Sequence, residues 1–569
     1  MSTQKKYMGS SHFKNTAIAI AVASSFAITP AWAVDTATGS GSGVAYGTGS
    51  GAPKAENVAI GKGATISYSG GVGQPSTGDI VIGGGAHTNN YIDQGGGIAI
   101  GSNSFVENMV GGLERSFDFN QAGYDKIFGV PYGLPKDPTK MVTGIAIGQN
   151  TYARSGSVML GTHNYKGKLG DVDVDSSSTK DNNMLLFSTT LGANSYSNGL
   201  FSTVTGAYSI ASSDYSGGNT SAATKNFGAT ITGSLNSIES ATASSLYSGV
   251  ANSIVGVANR TSNSNGSLIF GAGNEITNSL TSIAAPSSGG GSAKDLADAL
   301  RSAVKESNGG ATLAIGGGNT ADYTQASQLI GVNNTLKGSS SSVSQYNALN
   351  GYKNTATNVK HVTVIGSSNT VTDGESNIVA GDNHKLTGVS KSVIIGSSST
   401  ENKEVTKSNV VVIGQDADIF QEGDVALGSG STAEQVEATT NITIRGTSYD
   451  FAGTSPTSTV SVGSEGKERT ITNVAAGRIS AASTDAINGS QLFAVTSALD
   501  TLSTSAGAHY YSVKSSNTEA DSNYDNDGAT GTDSIVLGIA SKNSGNNSTV
   551  IGNMNSLTGI KNGVNNSIR

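Results

Sequence analysis

Short apolar triplets that end in glycine recur along the chain, and they predict stacked β-strands. Early examples are Val58, Ile60 and Gly61, then Ile98, Ile100 and Gly101, then Ile145, Ile147 and Gly148. From Gly316 onward, glycines of this kind lie mostly 14 or 15 residues apart. Self-similarity at a fixed period is typical of solenoids, in which each repeat packs only on its neighbours. We therefore expect an all-β solenoid.

The third residue after each of these glycines is usually Asn, Ser or Thr, and this pattern predicts a turn between two strands of one coil. Asparagine takes this place at Asn236, Asn259, Asn274, Asn319, Asn334, Asn354, Asn369 and Asn555. Glycine permits positive φ, and asparagine hydrogen bonds its own backbone in turns. Because the coils stack, equivalent asparagine side chains should form a ladder.

Coils of this size are too thin to be stable alone. Each has room for two to four short strands and about three buried aliphatic side chains. Burial on that scale does not offset the entropy lost when a coil becomes ordered. We therefore expect a homo-oligomer in which copies pack coil against coil.

Two insertions interrupt the period, near residues 108–143 and 286–311. The first is rich in aromatic residues and predicts a long loop, and loops on rigid scaffolds often carry binding. The second places Leu296, Leu300 and Val304 at helical spacing, which predicts a short amphipathic helix. We interpret this helix as a cap on neighbouring coils, with a partner site as the alternative.

The sequence ITNVAAGRIS at 471–480, continued by STDAINGSQL at 483–492, closely resembles the neck of YadA-like trimeric autotransporter adhesins. The glycine-ended triplets are similar to the repeats of that family's heads. The resemblance implies a left-handed parallel β-roll head, a homotrimer, and display on the surface of a Gram-negative bacterium. The residues that would form the trimeric neck and stalk are Ile471, Val474, Ile479, Ile487, Leu492, Val495, Leu499 and Leu502.

The residues themselves predict a short coiled coil after the neck. The last four of those side chains follow the 3-4-3 spacing of an a/d seam. This spacing indicates a helix that associates with other copies. The number of three chains comes only from the resemblance.

These patterns give an expected order of domains. Basic residues, an apolar run and Ala31-Trp32-Ala33 indicate a signal peptide and therefore export. The expected order is a signal peptide at 1–33, a Gly/Ser-rich linker at 34–56, the head at 57–430, a β-rich connector at 431–463, the neck at 464–491, a coiled coil at 492–506, and a connector with the start of a second head at 507–569. The family's C-terminal membrane anchor has no counterpart in these residues, so we expect a passenger fragment, attached to the outer membrane only through that anchor and secreted if the truncation is real.

Composition excludes several classes of protein. The 569 residues include 77 glycines and no cysteine, and only 13% are charged, with a formal net charge of −8. A polybasic nucleic-acid binder is therefore excluded. Disulfides and thiol chemistry are excluded as well.

Little in the sequence indicates a metal site or catalysis. Asn523, Asp525 and Asp527 match the first half of a calcium loop, but position twelve is Ser534 where glutamate is needed. We interpret the segment as an acidic turn, with calcium as a weaker alternative. The histidines are scattered and no Gly-x-Ser-x-Gly elbow occurs. We therefore predict no enzyme, no catalytic residue and no cofactor.

The leading hypothesis is an adhesin that binds host extracellular matrix, cell-surface receptors or other surfaces through many weak contacts. In related heads the repeated coils are implicated in collagen binding, so the nine repeat residues named first are candidate contacts. A structural role in the roll explains the same residues and is preferred. The alternatives are a non-adhesive spacer or fibre segment and, less favoured, a secreted β-helical enzyme that processes polysaccharides.

Overall fold

The structure of the protein is a computed structural model, which describes most of the chain. The described residues are 39–69, 78–91, 95–108, 143–154, 156–163, 187–197, 199–213, 225–240, 248–280, 283, 293–307, 312–505, 515–518, 522–558 and 567–568. The expected signal peptide and most of the first insertion lie outside these residues. Two compact units are present, one running to Glu437 and including Pro456–Arg469, the other comprising Ala438–Ser455 and Thr470–Arg569.

Twenty parallel strands form the first sheet, and each strand pairs with the next one supplied by the following coil. The glycine-ended triplets supply these strands, so the predicted repeat is the unit of the sheet. The strands are Val44–Tyr46, Val58–Ile60, Ile80–Ile82, Ile98–Ile100, Ile145–Ile147, Val158–Thr162, Thr189–Ala193, Thr203–Thr205, Thr230–Ser234, Ser253–Val257, Leu268–Ala272, Leu313–Gly317, Gln328–Val332, Ala348–Tyr352, Thr363–Ser367, Ile378–Ala380, Val393–Ile395, Val411–Ile413, Val425–Leu427 and Val460–Ser461.

The second strand of each coil builds a second set of parallel sheets. A four-stranded sheet comprises Thr65–Ser69, His87–Tyr91, Phe105–Asn108 and Tyr152–Arg154. An eleven-stranded sheet comprises Tyr196–Ser197, Ile210–Ser213, Ser237–Ser240, Arg260–Ser262, Glu275–Thr277, Thr320–Asp322, Thr335–Lys337, Thr355–Thr357, Thr370–Thr372, His384–Thr387 and Lys403–Val405. A short third side pairs Thr324–Gln325 with Ser344–Gln345 and continues as single bridges to Ser390.

Most strands of the head place one residue in the core. In the first sheet this is the middle residue of the triplet, such as Ala59 or Val364, which is fully buried. Middle residues of the second sheet, such as Leu336 and Val371, meet them from the other side. The outer residues of each triplet alternate to the opposite face, and Ile60 is exposed. Strand alternation therefore leaves the flanking aliphatics of each triplet outside the core.

The predicted asparagine ladder is present. Asn369 donates from Nδ2 to Asn354 Oδ1 at 3.0 Å and to the Gly381 carbonyl of the next coil at 2.7 Å. His384 continues the column, since its backbone N–H donates to Asn369 Oδ1 at 3.0 Å. We call the whole column the asparagine ladder, and its members are Asn236, Asn259, Asn274, Asn319, Asn334, Asn354, Asn369 and His384.

Close stacking explains the glycine of each triplet. Gly366 has a φ of 138°, and a Cβ there would lie 1.9 Å from the carbonyl oxygen of Gly381 in the next coil. A side chain would therefore collide with backbone in a conformation that L-residues rarely adopt. Glycine is required by coil-to-coil distance as well as by the turn.

The helix predicted within the second insertion is present as α1, Ala293–Glu306. Leu296 on this helix is buried, and Leu300 lies beside Gly228 at a turn of an earlier coil. Lys294 and Asp298 pair on its exposed side. These contacts agree with the interpretation of the helix as a cap.

The second unit contains a hairpin, a helix and short strands. Asn441–Ile444 pairs antiparallel with Thr447–Asp450. The helix α2 spans Gly489–Ser505. The remaining strands pair in parallel and are Ile535–Leu537, Thr549–Ile551, Ser567–Ile568, Lys542–Asn543 and Ser556–Leu557. Across the described ranges, no helix has the length and apolarity to cross a bilayer. The all-β prediction with a short stalk helix is confirmed, whereas the domain boundaries stay a prediction.

Candidate self-association surface

A column of aliphatic side chains follows the outer face of the first sheet. Strand register places the third residue of each triplet in line with the third residue of the next. We call this column the outer stripe. Its apolar members are Ile60, Ile82, Ile100, Ile147, Leu160, Leu191, Val255, Phe270, Ile315, Ile330, Ile365, Ala380, Ile395, Ile413 and Leu427.

The outer stripe is uncovered in the single chain. Phe270 is 58% exposed and Ile365 is 50% exposed. Thr205, Thr232 and Asn350 are polar positions in the same column, and the other described positions are apolar. A large apolar surface of this kind marks an interaction site in soluble proteins. The regular spacing of its members, one for each coil, fits an equally repetitive partner.

The nine repeat residues fall into three places. Ile60, Ile100 and Ile147 belong to the outer stripe, and Val58, Ile98 and Ile145 lie two positions earlier on the same outward face, half-buried. Gly61, Gly101 and Gly148 take the turns that follow, with φ between 126° and 130°. The strands thus bring six aliphatics together on one surface. A role for them in ligand binding stays a prediction.

The stalk helix α2 presents a second uncovered apolar surface. Leu492, Val495, Leu499 and Leu502 are each more than half exposed. Phe493 is also exposed and was missed by the heptad pattern, because it falls beside the a/d positions. A lone helix with such a seam lacks a partner surface within the described residues of its own unit.

Hydrogen bonds fix the neck segment against the start of this helix. Gln491 accepts from the Gly477 N–H at 3.0 Å and donates from Nε2 to the Gly477 carbonyl at 2.6 Å. Asn488 donates to the Val474 carbonyl at 3.0 Å. These bonds hold the segment in place while Ile471, Ile479 and Ile487 are exposed and Val474 is half-buried.

An ion pair closes the same segment. The Arg478 guanidinium donates to the two carboxylate oxygens of Asp485 at 2.8 and 2.9 Å. These hydrogen bonds hold the pKa of Asp485 below its ordinary value. The pair lies at the surface, so it orients the loop more than it stabilises the fold.

The hairpin of the second unit was missed within the predicted connector at 431–463. Ile442, Ile444, Tyr449 and Phe451 are about half exposed on it. The alternation Ile-Thr-Ile before Arg445-Gly446 is the signal that could have indicated two paired strands.

The calcium candidate is folded as a turn. Asn523 Oδ1 accepts from the Gly528 N–H at 2.9 Å, and its Nδ2 donates to the Gly538 carbonyl at 3.1 Å. Asp525 and Asp527 are exposed. Among the described residues, no group of three or more His, Asp or Glu side chains is arranged to hold a metal ion.

A buried carboxyl lies between early coils of the head. Asp79 is fully buried and accepts from the Gly97 N–H at 2.7 Å and from the Tyr68 hydroxyl at 3.3 Å. Burial raises its pKa above the ordinary value despite these hydrogen bonds. Its contacts are all to neighbouring strands and turns, so we assign it to coil packing.

Comparisons with known proteins find sequence similarity that includes the neck and the helix. Residues 470–508 match a family described as the coiled stalk of trimeric autotransporter adhesin. The chain is 62% identical over 74 residues to the autotransporter adhesin BtaE of Brucella suis biovar 1 (strain 1330), a match that covers 13% of this chain and 10% of BtaE. The C-terminal YadA-like domain of a Burkholderia pseudomallei protein is 47% identical, with 19% of this chain and 52% of that chain covered and a TM-score of 0.17. The resemblance drawn from the neck sequence is confirmed.

Proposed function

We propose that this chain is the passenger of a homotrimeric adhesin displayed on the surface of a Gram-negative bacterium. The match of residues 470–508 to the coiled stalk of trimeric autotransporter adhesins and the 62% identity to an autotransporter adhesin over 74 residues support the proposal. It attaches the cell to host matrix proteins, cell-surface receptors or other surfaces. No catalytic step is part of this role.

The outer stripe carries the proposal. It runs in register along the first sheet and is exposed in one chain. Self-association can bury the outer stripe without refolding the head, since identical coils have the same axial spacing of about 4.8 Å in each copy. The seam of α2 supplies the matching contact in the stalk, where three helices bury Leu492, Val495, Leu499 and Leu502.

Ligand contacts then belong to the opposite side of the head. The second sheet presents threonines in line on consecutive strands, and we call them the threonine face. Its members are Thr320, Thr335, Thr355 and Thr370 in one column and Thr357, Thr372 and Thr387 in the next. Three such faces per trimer, each repeated along the coils, raise avidity without a strong single site.

Two measurements test this function. Sedimentation of the full chain should give a trimer, and surface plasmon resonance should show binding to at least one of collagen, fibronectin and laminin. The double variant Thr355→Glu/Thr370→Glu should lose at least about tenfold in apparent affinity through weaker avidity. A control with the same charge change on the hairpin, Thr440→Glu/Thr447→Glu, should bind as the unmodified chain does.

The outcomes separate the alternatives. A monomer would overturn the proposed assembly. A trimer that binds no matrix protein and no cell would favour the spacer instead. Equal binding by both double variants would remove the threonine face from the ligand site.

A further inference from the structure

Among the described residues, the column of the outer stripe contains Thr205, Thr232 and Asn350 as polar members, and Asn350 is the member with a carboxamide. Asn350 stands in line between Ile330 of the preceding coil and Ile365 of the following coil. Its side chain faces outward, because the neighbouring Leu349 fills the core. The amide oxygen Oδ1 is buried and has no hydrogen-bond partner.

An amide in this position is costly for one chain. A buried acceptor without a donor has lost its hydrogen bonds to water and gained none in their place, so it destabilises the chain relative to a satisfied acceptor. The adjacent side chains in the stripe, Ile330 and Ile365, offer no donor, and Ala348 two residues earlier leaves space beside the amide. An isoleucine, as in both neighbouring coils, would avoid the cost.

We propose that Asn350 meets the Asn350 of the other copies across the self-association surface and forms an amide layer that fixes the axial register of the head. This inference rests on the proposed homotrimer. Each carboxamide has two N–H donors and an acceptor oxygen. When rotation of the amide turns the buried Oδ1 toward the seam, three carboxamides related by threefold symmetry close a ring in which every Oδ1 accepts from the next copy.

The layer discriminates between registers more strongly than the aliphatic members of the stripe do. Aliphatic side chains in successive coils are nearly equivalent, so a slip by one coil, about 4.8 Å, costs little apolar contact. The same slip places Asn350 against Ile330 or Ile365 of another copy and leaves the amide unpaired. A single polar residue in an apolar oligomer seam fixes alignment in coiled coils by the same physics.

Asn350→Asp tests the proposal, because it converts a ring of amides into a cluster of carboxylates. At pH 7.5 like charges that converge across the seam should weaken the trimer at least about tenfold in its dissociation constant. At pH 4 protonation should largely restore the trimer, which also shows that the chain still folds. Sedimentation and thermal unfolding at both pH values are the measurements.

Two other variants complete the experiment. Asn333→Asp makes the same change at an exposed turn one coil earlier, where aspartate tolerates the left-handed backbone, and it should behave as the unmodified chain. Asn350→Ile should keep the trimer and raise its melting temperature. The inference is overturned if Asn350→Asp matches Asn333→Asp at both pH values or fails to recover at pH 4. A monomeric unmodified chain overturns the proposed homotrimer and the amide layer together.

Discussion

The asparagine ladder makes a sharp prediction at Asn369, in the middle of the column. Replacing it with alanine removes both donated bonds, to Asn354 Oδ1 and to the Gly381 carbonyl. It also removes the acceptor for the His384 N–H. Ser368 is in the left-handed region but Asn369 is not, so alanine at position 369 adds no conformational strain of its own.

The magnitude follows from the groups left behind. The His384 N–H loses its partner at a buried position, and the Gly381 carbonyl loses its partner at a half-buried one. An orphaned buried group costs about 1–3 kcal/mol and the half-buried carbonyl costs less, so Asn369→Ala should lower the free energy of unfolding by about 1–4 kcal/mol per chain. The same substitution in an exposed turn should lower the free energy of unfolding by only about 0.5 kcal/mol or less, because water replaces the lost hydrogen bond.

The chain itself offers a control for this change. At the equivalent place in an earlier coil, Ser209 donates to the Gly233 carbonyl at 2.8 Å and accepts from the Asn236 N–H at 3.2 Å. Asn369→Ser should therefore keep both backbone groups paired and unfold at a higher urea concentration than Asn369→Ala. Urea unfolding, monitored by circular dichroism, ranks the stabilities of the two variants and the unmodified chain. Equal midpoints for the alanine and serine variants, or an alanine variant as stable as the original, would refute the ladder as a source of stability.

Three further changes probe the coils, the stalk and the buried carboxyl. Gly366→Ala should destabilise the head by about 2–5 kcal/mol through backbone collision and strain, whereas Gly388→Ala, which has open space around it, should cost about 1–2 kcal/mol in unfolding experiments. Leu499→Asp should shift sedimentation from trimer toward monomer, while Ser497→Asp on the same helix should not, and equal behaviour of the two would contradict the seam. Asp79 has a raised folded-state pKa, so its protonated form stabilises the fold below about pH 4 and this contribution is lost as pH rises through that pKa. Asp79→Asn should remove this pH dependence from denaturant midpoints measured between pH 4 and 7. An unchanged pH profile would show that Asp79 is not the source of the pH dependence.

The ladder and the glycine column could be predicted because both are local and periodic. A turn needs glycine and asparagine for backbone reasons, and a repeat of 14 or 15 residues forces equivalent turns into contact. The sequence alone therefore indicated that Asn354 and Asn369 would be neighbours. The helix α1 followed from Leu296 and Leu300 at helical spacing for a similarly local reason.

Which side of the strand faces the core could not be taken from composition. In the triplet Val58-Ala59-Ile60 the smallest residue is the buried one, and hydrophobicity alone predicts the reverse. Strand alternation allows either the middle residue or the two outer residues of a triplet to face the core. The thin core accommodates the small or medium middle side chain, and the larger outer side chains lie on the outward surface. The polar interruption at Asn350 was likewise invisible until register placed it within an aliphatic column.

The two outward surfaces of the head follow from this division. A coil with one buried side chain per strand gains its internal specificity from the ladder, whose hydrogen bonds run along the solenoid and fix the spacing of the coils. That fixed spacing makes the outer stripe periodic, and a periodic apolar surface is best covered by an identical one. Self-association then uses the first sheet and leaves the threonine face to the surroundings. Binding to a matrix protein is therefore expected to depend on the ladder even where no ladder residue touches the ligand, because both surfaces inherit their geometry from it.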